Sequence, residues 1–162
     1  MKIALATDHA GFEQLKQLKE YLIAEGHECV DFGPTSFDKA DDYPDFIFPA
    51  AHAVADGDCE VGIIMGGSGQ GEAMAANRIK GVRCTLFYGP VIAKTAVDAE
   101  GTMSEDPYEI LKLSRQHNHA NVLSLSARFL TLEEMKQAVE VWLGASYDDA
   151  ERHARRVTEL DA

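Results

Sequence analysis

Glu60 to Gly67 read EVGIIMGG, an apolar run that never alternates with polar residues and that stops on two glycines. A strand with one wet face alternates. One that is apolar on both faces belongs inside a parallel sheet, with helices over both sides. That requirement organises the rest of the chain. KIALAT (2–7), HECVDFG (27–33), VRCTLFYG (82–89) and ANVLSLSA (120–127) are four further strand candidates. Between the first two, GFEQLKQLKEYLIAEG spaces Phe12, Leu15, Leu18 and Leu22 at helical intervals and closes on Gly26. The other expected helices are 46–56, the stretch from the glycines to Ile79, YEILKLSRQHN, and TLEEMKQAVEVWLGA with Thr131 as N-cap. Strand and helix alternate, so the expected class is α/β, a five-stranded parallel sheet with right-handed crossovers. At 162 residues the chain suits one domain, 1–162. Residues 89–108 are long for a connection in such a fold, and read either as partly helical or as a flap. Residues 145–162 read as a C-terminal helix with a basic cluster.

Lysine and arginine number 15 against 27 aspartates and glutamates, a formal charge of −12. A surface this acidic repels nucleic acid and anionic lipid, so neither is an expected partner. No apolar run approaches the roughly 20 residues of a membrane span. MKIALATDHAG lacks the length and flanks of a secretory leader, which makes the cytoplasm the expected location. Against this background ERHARR (151–156) packs three arginines and a histidine into six residues. Cys29, Cys59 and Cys84 stand apart, with no CxxC and no spacing suited to zinc. Reduced, buried thiols and no metal are expected.

Ligands of open α/β sheets sit beyond the carboxyl ends of the strands. Asp8 and His9 follow the first strand, Gly66 to Glu72 the third, and Ala127 and Arg128 the fifth. GGSGQGEAMAAN fails the dinucleotide fingerprint, which needs G-x-G-x-x-G in the first strand–helix turn. It also fails as a P-loop, because Glu72 and Ala73 stand where lysine and a hydroxyl belong, and a carboxylate repels a triphosphate. A third reading makes the loop amides an oxyanion hole and Glu72 a base that removes a proton next to a carbonyl. The helix dipole, worth roughly 0.3–1 kcal/mol to a nearby anion, favours the ionised carboxylate. The competing reading is structural: glutamate is common in first turns for that same reason, and glycines permit tight turns.

The other candidates divide in the same way. Asp8 can be a cap beside a solvent-facing His9, or the pair can contact substrate. His117, beside Asn118 near the end of the fourth helix, can serve the helix terminus. It can also move protons near neutral pH, as opening a sugar ring requires. Arg152 and Arg156, four apart, share a helix face, either solvated or matched to a phosphate dianion. Together these features point to a small phosphorylated carbonyl compound.

DHAG (8–11), DYPD (42–45), GGSGQGEAMAANR, SRQHN with NVLSLSAR, and WLGA followed by RHARR make the chain resemble the type B ribose-5-phosphate isomerases over nearly its whole length. That family includes galactose-6-phosphate isomerase subunits. The resemblance implies a Rossmann-like three-layer α/β/α fold, and a homodimer with shared sites or a tetramer. It implies aldose–ketose isomerisation through a cis-enediolate with no cofactor and no metal. It assigns sugar binding to Asp8 and His9, the anion loop to Gly67, Ser68, Gly69, Gln70 and Gly71, and ring opening to His117. Asn118 and Arg128 match ligand contacts, Arg152 and Arg156 the phosphate arginines, and Tyr43 lies in the loop beside the substrate. Many members carry a cysteine base just before the glycine loop. Gly66 stands there in this chain, which resembles the branch whose base is a glutamate, here Glu72. The segment 89–108 is longer than in most members. The expected substrate pair is ribose 5-phosphate and ribulose 5-phosphate. Alternatives are a six-carbon phosphate such as galactose 6-phosphate or allose 6-phosphate, and a non-catalytic sugar-phosphate sensor, which would not need Glu72.

Overall fold

In the computed structural model, which describes residues 1–162, β1 (Lys2–Thr7), β2 (Glu28–Asp31), β3 (Val61–Gly66), β4 (Cys84–Phe87) and β5 (Val122–Ser126) form one parallel sheet. The order is β2-β1-β3-β5-β4. The run that demanded burial on both faces is the central strand, and all six of its residues are buried. Its register pairs Thr7 with Met65 and Gly66 with Ser126, so β1, β3 and β5 finish side by side. This is the three-layer, Rossmann-like architecture expected.

Strand periodicity sends alternate residues to opposite faces. Ile3, Leu5, Ile63, Met65, Leu123 and Leu125 face α1 (Phe12–Ala24), α4 (Glu109–Asn118) and α5 (Leu132–Gly144). Leu15, Leu18, Leu22 and Trp142 complete a core of 20 buried residues on that face. Each such large side chain contributes roughly 1.5–3 kcal/mol. The opposite face carries Ala4, Ala6, Ile64 and Val122 under α2 (Pro44–Ala55) and α3 (Gln70–Ala76). Its core has 13 buried residues, and Ala50, Ala51, Ala53, Ala75 and Ala76 supply much of the helical side. Small side chains hold these two helices close to the sheet.

Helix boundaries follow local chemistry. Thr131 caps α5 by accepting from the Glu134 amide, while the Glu134 carboxylate accepts from the Thr131 amide at 2.8 Å, a capping box. α2 begins at Pro44 instead of 46, because proline is preorganised for a first helical position. α3 stops at Ala76, short of the expected Ile79. The Asn77 side chain bonds both ways with the Cys84 backbone, at 3.0 and 2.8 Å, and turns the chain into β4. The last helix, α6, covers only Glu151–Leu160 of the expected 145–162. The Asp148 amide before it bonds to the Gln116 carbonyl at 3.0 Å, which fixes this linker on α4.

Residues 89–108 contain no helix, contrary to one of the two readings. Asp98 Oδ1 accepts from the amides of Glu100 and Thr102, and Val91 N–H donates to the Pro107 carbonyl at 2.8 Å. Val91 to Val97 run beside Ile110 and Leu113 of α4. The three cysteines are free thiols. No helix is long and apolar enough to cross a membrane.

Candidate active site

The chain leaves β1 and β3 toward opposite faces, into α1 and α3 respectively, and so opens a crevice between their carboxyl ends. After β1, Asp8 Oδ1 accepts from the Ala10 amide at 2.9 Å and closes a tight turn. A β-carbon at Gly11 would lie 2.7 Å from Met65 Cγ, so glycine alone allows this turn to rest on β3. His9 then projects over the crevice. Its Nδ1 lies 2.6 Å from Asp41 Oδ1, which also accepts from the His9 amide at 3.1 Å. The Asp41 hydrogen bond and the carboxylate of Asp8, 3.6 Å away, raise the imidazole pKa against burial and Arg128.

The glycine loop after β3 has its carbonyls committed. Gly66 and Gly67 accept from the amides of Ala127 and Arg128, at 2.9 and 3.1 Å. Ser68 and Gly69 accept from the hydroxyls of Ser126 and Ser124, at 2.6 and 2.7 Å. The carbonyl edge is thus bound to the β5 side, and the Gln70 amide donates to Ser68 Oγ at 3.3 Å. Gly69 adopts φ +72°, and a β-carbon there would stand 2.9 Å from the Leu125 carbonyl. The Arg128 guanidinium lies over Gly67, and the Tyr43 ring lies over Gly71, 2.9 Å from where a β-carbon would be. Either glycine, given a side chain, would push its lid away.

Glu72, in the first turn of α3, is 4% exposed. Its carboxyl group fills the space beside Gly66, where a β-carbon would overlap it. Burial raises the Glu72 pKa, its own backbone amide opposes that, and Asp8 adds to it. A carboxylate made more basic by burial, in the first helical turn after a glycine loop, can take a proton from carbon while loop amides hold the oxyanion.

The remaining candidates lie elsewhere on the chain. α4 runs back along the sheet, so His117 and Asn118 reach its amino edge, just before β5 begins at Val122. Asn118 shares a cavity there with Val82 and Cys84. β5 has five residues, roughly 15 Å, and within one chain His117 lies toward its amino end while Glu72 follows the carboxyl end of neighbouring β3. The His117 ring packs on His153 with centroids 4.4 Å apart, and burial together with His153 and Arg152 lowers its pKa. His153 is buried, and its Nε2 takes the Arg152 Nε–H at 3.1 Å. Arg152 also pairs with Glu100 of the 89–108 segment at 3.5 Å. Arg156 is exposed on the same helix.

Asp8, His9, Tyr43, Arg128 and the loop from Gly67 through Ser68, Gly69, Gln70 and Gly71 to Glu72 therefore form one cluster. His117, Asn118, Arg152 and Arg156 form another at the opposite edge. The structure brings two further residues to these clusters: Asp41, which sequence reading passes over, and His153, which it notes only beside the arginines. The acidic run before Tyr43 was the only signal for the first, and the basic run at the C-terminus the only one for the second. Asp8, His9 and Asp41 place three metal-capable atoms within 4.8 Å of one another. Those groups bind each other and the backbone, as the hydrogen bonds above describe.

A family model described as Ribose/Galactose Isomerase matches residues 3–103 and 104–160, the break falling within the long segment. Ribose-5-phosphate isomerase B of Mycolicibacterium paratuberculosis is 36% identical over 161 residues, covering 99% of this chain and 89% of that protein. The Escherichia coli protein of the same name is 35% identical over 161 residues, covering 99% and 95%. The solved structure of Clostridium thermocellum ribose-5-phosphate isomerase B superposes with a TM-score of 0.84 at 32% identity, covering 99% of this chain and 95% of that one. That of the Mycoplasma genitalium enzyme, with bound ribulose-5-phosphate, gives 0.83 at 36% identity, covering 99% and 93%.

Proposed function

The chain belongs to the ribose/galactose isomerase family, and from that membership we propose that it interconverts ribose 5-phosphate and ribulose 5-phosphate, with Glu72 as the base. The relatives named for ribose 5-phosphate, and the neighbour holding ribulose-5-phosphate, favour the five-carbon sugar over a six-carbon one. In the open-chain aldose the Glu72 carboxylate removes the proton from C2. Electrons move onto the carbonyl oxygen, giving a cis-enediolate held by the loop amides and Ser68. Glu72 then returns the proton to C1, a hydroxyl proton passes from O2 to O1, and the ketose results. The reaction needs no external electron acceptor.

Two clusters at opposite edges of one sheet cannot close on one sugar. A second copy supplying His117, Asn118, Arg152 and Arg156 to the crevice completes the site, and a two-fold dimer does this twice. His117, whose pKa is lowered by burial and by His153 and Arg152, suits a group that opens the furanose ring. Arg152 and Arg156, with Arg128, supply the charge a phosphate needs. A charged sugar phosphate is an intracellular metabolite, which fits the cytoplasmic location expected.

The observation that carries this reading is the buried Glu72 carboxyl group seated against Gly66, at the start of the glycine loop. The test is isomerisation of ribose 5-phosphate by the wild type and by Glu72→Gln, with ligand binding measured in both. Turnover in the wild type, reduced by about 10²–10⁴-fold in the variant while binding persists, is expected. A variant that turns over like the wild type overturns the base assignment, and an inactive wild type overturns the substrate.

A further inference from the structure

We infer that Asp41 is a positioning residue for His9: it holds the imidazole so that Nε2–H is presented to the ligand as a donor. The inference rests on the isomerase reading of this crevice and adds a residue to it. Asp41 lies in the polar loop before α2 and is 32 residues from its partner. Its Oδ1 grips His9 twice, at the ring Nδ1 and at the backbone amide. With Nδ1 committed to a carboxylate, Nδ1 carries a proton, and Nε2 is the ring atom left to face the crevice. The Asp41 side chain is only 9% exposed, and its Oδ2 is buried with no hydrogen-bond partner. A carboxylate so placed is costly unless a cation stands against it, and the imidazolium of His9 is the cation at hand.

The groups facing His9 come from four elements. Asp41 and Asp8 favour its protonated form, with Asp41 first, and Arg128 after β5 opposes them. Glu72 of α3 senses the His9 charge in turn. Phe37 covers one ring edge, with centroids 6.4 Å apart. Asp41 therefore extends to higher pH the range in which His9 and Arg128 both present N–H donors to an anionic ligand.

Asp41→Asn separates this role from simple capping. The amide oxygen still accepts from the His9 backbone N–H, so the turn survives, but the charge is gone. The measurement is an NMR titration of the imidazoles in the assembled protein, with His9 assigned from a His9→Gln spectrum, alongside kcat and KM for ribose 5-phosphate from pH 6 to 9. The expected result is a lower His9 midpoint in the variant. KM at the alkaline end should rise by about tenfold, with kcat changing less. An unchanged midpoint, or equal losses in kcat and KM at every pH, overturns the inference. Should the variant not fold, the wild-type titration decides: a His9 midpoint above the ordinary value of about 6.5 supports it, and one at or below that value overturns it. Failure of the isomerase reading would show instead as no turnover in the wild type, with the titration unaffected.

Discussion

Gly66→Ala tests the tie between this glycine and the Glu72 carboxyl group. Gly66 is not among the glycines with positive φ, so alanine meets no backbone strain there. The three atoms nearest the new β-carbon all belong to the Glu72 carboxyl group, and all would overlap it. The carboxyl must swing out of a pocket in which Glu72 is only 4% exposed. Overpacking of this kind costs roughly 1–3 kcal/mol. For a chain of this length that lowers the melting temperature by about 2–12 °C, at 2–4 °C per kcal/mol. A displacement of about 1 Å at the base reduces turnover by about 10²-fold. Calorimetry and a ribose 5-phosphate assay read the two effects. A cycle with Glu72→Ala isolates the cause, because without that carboxyl the β-carbon has room and the thermal penalty should vanish. The coupling should be about 1–3 kcal/mol. A penalty that persists in the Glu72→Ala background refutes the reasoning, as does a Gly66→Ala enzyme with wild-type melting and turnover.

Two further outcomes follow from the charges and from the division of the site. Burial raises the Glu72 pKa, so the folded state favours the protonated carboxyl. That contribution is complete below the unfolded value of about 4.3 and is lost as pH rises through the higher folded value. Glu72→Gln should therefore melt above the wild type at pH 8 and lose that advantage in acid; calorimetry showing a lower melting temperature at pH 8 contradicts this. Mixed assembly of Glu72→Gln with His117→Ala, each inactive alone, should restore about a quarter of wild-type activity, since random pairing makes half the dimers mixed with one intact site each. No recovery on mixing would place both residues in a site built by one chain.

The sheet was legible because burial on both faces leaves a mark within single strands: Ile63, Ile64 and Met65 carry it without help from the rest of the chain. The glycine loop was legible for the same local reason, as was Thr131 with its partner three residues on. Features fixed by distant contacts were not. Asp41 reaches His9 across 32 residues, and no spacing within the loop announces it. The early end of α3 depends on Asn77 finding the Cys84 backbone, and periodicity through Arg78 and Ile79 reads as continued helix. Gly66 and Glu72 were each visible, but that one leaves space for the other is a fact of three dimensions. The segment 89–108 has no periodic signal because its order comes from an aspartate-capped turn and from packing along α4.

The two faces of the sheet are not equally strong, and Glu72 stands on the weaker one. α1 and α5 rest on leucines and Trp142, whereas α2 and α3 rest largely on alanines. Fluctuations that open a protein locally begin where least apolar surface is lost, so amides of the short helix bearing Glu72 should exchange with solvent before those of α5. The large core acts as ballast, keeping the molecule folded through such openings. On the reading proposed above, a ligand bound at the glycine loop would close them, and its affinity would then be coupled to the order of α3.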